Sequence, residues 1–165
     1  MNNDNPVNMI EGSTPSERII YSPATPDDLP MVQALLKENS LPFEDVGEHM
    51  DHFILAKENG LLIASAGVEL LGTDGLLRSV CVSRKCRNRG IAGELCRRME
   101  ATAYSAGVKQ LYLLTTTAEE YFGRKGYRVC SRESLPPGVQ GTAEFRSLCP
   151  SSAVCMVRDL DGASG

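Results

Sequence analysis

The stretch that decides the reading of this chain is Leu76-Leu77-Arg78-Ser79-Val80-Cys81-Val82-Ser83-Arg84-Lys85-Cys86-Arg87-Asn88-Arg89-Gly90-Ile91-Ala92-Gly93. An apolar run reads as a strand, runs into a basic loop, and the loop opens a helix. From Ile91 to Ala106 the residues Ile91, Leu95 and Met99, with Ala92, Cys96 and Ala103 beside them, recur at helical spacing. Glu94, Arg97, Arg98 and Glu100 fall largely outside that stripe, and Gly107 closes the helix. Gly90, Ala92 and Gly93 in the first turn leave backbone N–H groups facing the loop without intrahelical partners. Arg84, Lys85, Arg87 and Arg89 put four positive charges beside them. That combination suits an anion, and a ligand with several phosphates in particular. A solvated basic turn before a glycine helix start would have the same composition.

The elements on either side extend the pattern. Arg18 to Tyr21 reads as a first strand, and Thr25, Pro26 and the acids behind them open a helix over Asp27 to Glu38 with Leu29, Val32, Leu35 and Leu36 on one face. Ser40-Leu41-Pro42 ends it, and a short second helix is expected near Phe43 to Met50. His52 to Lys57, Leu61 to Leu70 and Leu76 to Val82 are three strands joined by the turns Glu58-Asn59-Gly60 and Gly72-Thr73-Asp74-Gly75. After the long helix come a strand at Lys109 to Leu114, a short helix at Ala118 to Lys125, and strands at Tyr127 to Cys130 and Ala153 to Val157, with Pro136-Pro137 in the loop between them. The order predicts a mixed α/β (α+β) sheet with helices on both faces.

Length and charge bound the class. The chain has 165 residues, 42% hydrophobic and 23% charged, which fits one globular domain over residues 17–160 between an N-terminal arm at 1–16 and a short tail at 161–165. A net charge of −4 argues against nucleic acid as a partner, because phosphate neutralisation needs a basic face. No apolar run nears the ~20 residues that span a bilayer, and the N-terminal residues are too polar for a signal peptide, so the expectation is a cytoplasmic protein. The six cysteines lack paired spacing and read as reduced thiols.

The loop is neither G-x-x-x-x-G-K-[ST] nor G-x-G-x-x-G, which sets aside two common phosphate-binding turns. Arg87-Asn88-Arg89-Gly90-Ile91-Ala92 resembles the R/Q-x-x-G-x-G/A pyrophosphate signature of the GCN5-related N-acetyltransferases (GNAT). Ala118-Glu119-Glu120-Tyr121-Phe122-Gly123-Arg124-Lys125-Gly126-Tyr127 is similar to that family's A-x-x-F-Y-x-x-x-G-F segment. The resemblance implies a sheet of six to seven strands that splays between strands 4 and 5, with acetyl coenzyme A as co-substrate and no metal. Val80, Cys81 and Val82 would then border the pantetheine arm, and the turn Arg87, Asn88, Arg89, Gly90, Ile91, Ala92 and Gly93 would hold the pyrophosphate, with Phe122 beside the cofactor. The runs Leu77 to Val82, Leu113 to Thr117 and Phe145 to Met156 resemble the short N-acetylglutamate-synthase-like branch, closest to the arsenic-resistance N-acetyltransferases, relatives of enzymes that acetylate the glutamate analogues arsinothricin and phosphinothricin. A small amino-acid-like acceptor and a homodimer are implied by the same likeness.

Direct transfer to an ammonium group requires a base, because amines titrate above neutrality. Glu69, near the end of its strand, is the candidate base, with an ordinary exposed carboxylate as the alternative. The Glu that the glutamate-acetylating branch often carries on the next strand is Leu76 here, so that role does not carry over. The wider family protonates the departing sulfur with a Tyr whose matching position is Phe122. Tyr121 lies about 100° around the helix, and Thr115 at the strand end is the candidate sulfur-side donor. An anionic acceptor would draw on Arg78, Ser79, Arg146, Ser151 and Ser152, with Phe43 in a lid formed by Leu41-Pro42-Phe43. His49-x-x-His52 and the pair Cys149 and Cys155 are weak metal or arsenite patterns without a third ligand nearby. Acetylation of glutamate itself, and a non-enzymatic sensor of coenzyme A or arsenite, are the alternatives.

Overall fold

The computed structural model describes residues 18–160, so the arm and tail expected at the two ends lie outside the described residues. Seven strands form one sheet: β1 (Ile19–Pro23), β2 (Phe53–Glu58), β3 (Leu61–Leu71), β4 (Asp74–Val82), β5 (Gln110–Thr115), β6 (Arg128–Cys130) and β7 (Val154–Asp159). Their order across the sheet is β1-β2-β3-β4-β5-β7-β6. All neighbours run antiparallel except β4 and β5, which are parallel. The helices are α1 (Leu29–Glu38), α2 (Ile91–Ser105), α3 (Glu119–Arg124) and α4 (Pro137–Gln140).

The mixed sheet and the helix positions agree with the expectation from sequence. Three local differences have physical causes. The single helix expected from Asp27 is a 3₁₀ turn at Pro26–Asp28 followed by α1, because Asp28 turns its carboxylate back to the Thr25 N–H at 2.8 Å and Pro30 sits near the start of α1. The helix expected near Phe43 to Met50 resolves into two 3₁₀ turns, Val46–Glu48 and Met50–His52, each too short to continue. The segment read as a loop after Pro136 contains α4 and a π-helical turn at Glu144–Leu148.

Pleat alternation sends β3 and β4 side chains to opposite faces. One face carries Ala64, Ala66, Val68 and Leu77 under α2, whose Ile91, Leu95 and Met99 complete the main core together with Phe122 and Tyr127. The other face holds two separate apolar clusters. Val32, Leu35 and Leu36 of α1 pack on Phe53, Leu55 and Cys81, while Leu76, Tyr112 and Val157 pack against Val139 of α4. Gly67 faces its cross-strand partner Phe53, and a Cβ there would lie 2.4 Å from the ring, so the packing of that ring requires glycine.

Two irregularities prepare the site. The β3–β4 register shifts between Ser65 and Gly67, so that Ser79 and Val80 oppose Ala66 alone, and Ser79 takes a left-handed φ of 58°. β4 pairs with β5 only from Asp74 to Leu76. Beyond Leu76 the two strands separate, and among the described residues the edge of β4 toward β5 has no strand partner from Leu77 to Val82.

Candidate acetyltransferase site

The separation of β4 from β5 opens a cleft of about 530 Å³. Its walls are Leu77 to Val82 on one side and Leu113 to Ala118 on the other, with Tyr121 and Phe122 of α3 beside them. Cys86, Arg87, Asn88 and the start of α2 from Gly90 to Gly93 close one end. The unpaired edge of β4 offers peptide groups to an extended ligand as a neighbouring strand would.

The basic turn before α2 is a strand-to-helix connection with two left-handed residues. Asn88 and Gly90 adopt φ of 65° and 79°, which rotates the backbone into α2, whose first helical hydrogen bond runs from Glu94 N–H to Gly90 C=O at 3.1 Å. The preceding N–H groups lie before the start of the α2 ladder, at the positive end of its dipole. The Arg87 guanidinium donates to Val82 C=O at 3.1 Å and to the Asn39 amide oxygen, which ties the loop to α1 and keeps the charge at the cleft. Arg89 is different. It is ion-paired with Glu58 at 2.8 Å and does not line the cleft, so the basic loop divides into one arginine at the cleft and one on the β2 side. A further cation, Lys125, approaches the helix start: a Cβ at Gly93 would lie 3.5 Å from its Nζ and 3.7 Å from the Tyr121 hydroxyl.

The other expected cofactor and sulfur-side residues fall along the same cleft. Val80, Cys81 and Val82 all line it, with the Cys81 thiol turned toward Leu35 C=O on the α1 side, where burial pushes its pKa up to about 11. Thr115 accepts the Ala118 N–H at 3.0 Å, which fixes the turn into α3 and leaves its own hydroxyl proton available for donation. Phe122 is buried against Tyr121 and Tyr127 in edge-to-face contacts. Tyr121 lines the cleft with its ring half-buried.

The expected acceptor residues do not all converge. Arg78, the candidate cation for an anionic substrate, has a completely buried guanidinium that is already held in ion pairs. It donates to Asp45 at 2.7 and 2.6 Å and to Glu69 at 2.8 Å, and Glu144 lies 3.4 Å from its Nε. The Ser79 hydroxyl accepts from the same Nε at 3.1 Å. Glu69, read as the base, is bound to Arg78 and faces a second cavity of about 490 Å³, not the cleft. That second cavity is also lined by Glu48, His49, Ala143, Arg146 and Ser147. Ser151 and Ser152 are exposed in the turn before β7 and line neither cavity. Phe43 packs against the α1 cluster, so Leu41 and Pro42 alone of the expected lid reach the cleft.

Asp45, Glu69 and Glu144 thus share one arginine, in the gap between the two apolar clusters on that face of the sheet. Burial raises the Asp45 pKa, but its hydrogen bonds to Arg78 and the charges of Arg78 and His49 outweigh that and leave it below the usual value. For Glu144 burial prevails over Arg78, reinforced by the charges of Asp45 and Glu69, and its pKa rises to about 7. Asp45, His49 and Glu69 place ligand atoms within 4.8 Å of one another. The Arg78 guanidinium donates to both carboxylates, so its positive charge stands where a metal ion would have to sit. His52 is not in this group, and Cys155 has Cys130, not Cys149, as its cross-strand neighbour. All six cysteines are free thiols. Asp45 and Glu144 went unnoticed in the sequence because nothing local links them to Arg78.

Residues 18–127 match the family model described as "Acetyltransferase (GNAT) family", which covers the splayed strands, the basic turn and α3. The chain belongs to the GNAT acetyltransferase family. Its relatives include the amino-acid acetyltransferases of Ectopseudomonas mendocina and Pseudomonas aeruginosa, each 30% identical over 95 residues. Those residues are 56% of this chain but 22% of the relatives, so the chain matches only a minor part of their length. In three dimensions this GNAT chain resembles N-acetylglutamate synthase from Neisseria gonorrhoeae, solved with coenzyme A and N-acetyl-glutamate. The TM-score is 0.76 and the identity 20%, covering 87% of this chain and 35% of the other. Rv2747 from Mycobacterium tuberculosis, solved in complex with CoA and NLQ, matches with a TM-score of 0.74 and 19% identity over 86% of this chain and 99% of its own. These two likenesses establish the shared fold.

Proposed function

We infer that the protein transfers the acetyl group of acetyl coenzyme A to the amino group of a small amino-acid-like acceptor. The observation that carries this reading is the unpaired edge of β4, which leads directly into the cationic turn at the start of α2. Pantetheine extends along Leu77 to Val82, and the pyrophosphate lies on the α2 N-terminus with Arg87 at its side. The bulge at Ser79 and Val80 turns backbone groups toward the thioester. An amine attacks the thioester carbonyl, the N–C bond forms, the C–S bond breaks, and the thiolate leaves on the Thr115 side of the cleft.

The acceptor is best read as an amino acid with a second anionic group, glutamate or a phosphinic or arsinic analogue of it. The second cavity supports this. It adjoins the cleft through the neighbouring residues Ala143 and Glu144, which line one each, and it presents Arg146 to an anion opposite the carboxylates of Glu48 and Glu69. The sequence likeness of Phe145 to Met156 to arsinothricin and phosphinothricin acetyltransferases favours the analogues and hence a detoxifying role. A homodimer through the short edge strand β6, whose Val129 is exposed, accompanies this reading.

Thiol release from acetyl coenzyme A, measured with glutamate, phosphinothricin and arsinothricin in parallel, tests it. Preference for an analogue supports detoxification, and preference for glutamate moves the role to amino-acid biosynthesis. Tight coenzyme A binding with no turnover on any of the three removes the proposed acceptor class.

A further inference from the structure

The three carboxylates around Arg78 are not equivalent in what they face. Glu69 borders the second cavity, and both oxygens of Asp45 are taken by the guanidinium. Among the described residues that line the cleft, Glu144 has the one carboxylate. It is 3% exposed, and it holds no close hydrogen bond to the guanidinium: one oxygen lies 3.4 Å from Arg78 Nε and the other 3.8 Å from the Cys149 thiol. Its backbone is fixed. Thr142 holds Val139 C=O at 2.7 Å and receives the Phe145 N–H at 3.3 Å, while Cys149 N–H closes the π turn on Glu144 C=O at 2.9 Å. Two further cleft residues adjoin this group: Cys149, whose thiol points at the Glu144 carboxylate, and Ser79, which accepts from Arg78.

Resting on the acetyltransferase reading, we propose that Glu144 is the catalytic base, accepting the proton that the acceptor ammonium must lose before it attacks. The ammonium gives one proton to the Glu144 carboxylate, and the neutral nitrogen forms its bond to the acetyl carbon. As the C–S bond breaks, the second nitrogen proton goes to the departing sulfur through the Thr115 hydroxyl, and Glu144 later releases its own proton to water. The charge balance of the cluster supports this assignment. One guanidinium cannot neutralise three buried carboxylates, so one of the three is kept easily protonated, and it is the one facing the cleft. The groups that face Glu144 are Arg78 from β4, Glu69 from β3, Asp45 from the turn after α1 and Cys149 from the π turn. His49 stands behind Asp45 and Glu69 at 3.4 and 3.7 Å. A base near neutrality matches an operating pH near neutrality, and such groups contribute ~10²- to 10⁴-fold in rate.

The test has two readouts on the full chain. In kcat/KM against pH, the wild type should rise with an apparent midpoint of about 7. Glu144→Gln should lose that limb and at least ~100-fold at neutral pH while KM for acetyl coenzyme A stays within a few-fold. Its defect should shrink as the pH approaches that of the free amine, and Glu144→Asp should recover part of the rate. Glu69→Gln should keep the limb but move its midpoint down, because the Glu69 charge is one of those that raise Glu144. An unchanged limb in Glu144→Gln, or a rate within threefold of the wild type, overturns the assignment. The second readout needs no turnover and so separates this proposal from the acetyltransferase reading. The carboxyl stretch in the infrared difference between wild type and Glu144→Gln should titrate near neutrality, and titration in the ordinary glutamate range overturns the proposal.

Discussion

Arg78 on β4 donates to both oxygens of Asp45, 33 residues earlier in the chain, at 2.7 and 2.6 Å with its own side chain fully buried. This contact joins the turn after α1 to the middle of the sheet. Removing Asp45 leaves a buried guanidinium short of a partner, and breaking such a pair typically costs about 3 to 5 kcal/mol. Asp45→Ala should therefore lower the urea-derived unfolding free energy by about that much. A loss below about 1 kcal/mol would mean that water or another carboxylate replaces Asp45 without penalty.

Arg87 and Arg89 look alike in sequence and differ in space. Arg87 lines the cleft, and Arg89 is engaged with Glu58 on β2. Coenzyme A affinity should fall roughly tenfold in Arg87→Ala, as expected for one charge-assisted phosphate contact, and less than threefold in Arg89→Ala. Calorimetric titration checks both, and equal losses would refute the division of the loop.

Thr115 has two duties that its substitutions separate. Thr115→Val removes the acceptor for the Ala118 N–H and should cost about 1 kcal/mol of stability together with a loss in kcat, while Thr115→Ser should preserve both. Phe122 borders the cleft but is packed between two tyrosine rings, and with Thr115 serving the sulfur a hydroxyl added by Phe122→Tyr should change little. We expect no increase in kcat from it, and a gain above tenfold would reassign the sulfur-side donor.

Glu144 also makes stability depend on pH. Its folded pKa of about 7 lies above the ordinary 4.5, so the folded state holds a proton that the unfolded chain has released. Stability from this group is full below the unfolded value, falls as pH rises from about 4.5 to about 7, and changes no further above that. Thermal melts should show Glu144→Gln gaining on the wild type between pH 5 and pH 8, with a difference of at most a few kcal/mol. A constant difference over that range would contradict it.

Much of the fold was legible because it rests on local chemistry. The α2 stripe from Ile91 to Ala103 and the turns at Asn59-Gly60 and Gly72 are patterns of neighbouring residues, and backbone sterics enforce them within a few positions. The π turn at Glu144–Leu148 and the short α4 were not legible, since four or five residues give no periodicity to read. Val80, Gly90 and Thr115 were found in the cleft because each belongs to a contiguous motif. Position along a strand points Glu69 to the cleft, but its hydrogen bond from Arg78 holds it at the other cavity.

The sequence by itself determined the order of the seven strands and the long helices, the strand–basic loop–helix run from Leu76 to Gly93 and the family likeness. Each is written in short-range spacing, which hydrogen bonding and hydrophobic periodicity translate directly into shape. Only the tertiary structure decided the ionic centre. Asp45, Glu69, Arg78 and Glu144 come from a turn, two strands and a π turn, and their roles follow from burial and from the competition of three carboxylates for one cation. Coulombic energy in a desolvated interior depends on distances through space, and separation along the chain does not encode them.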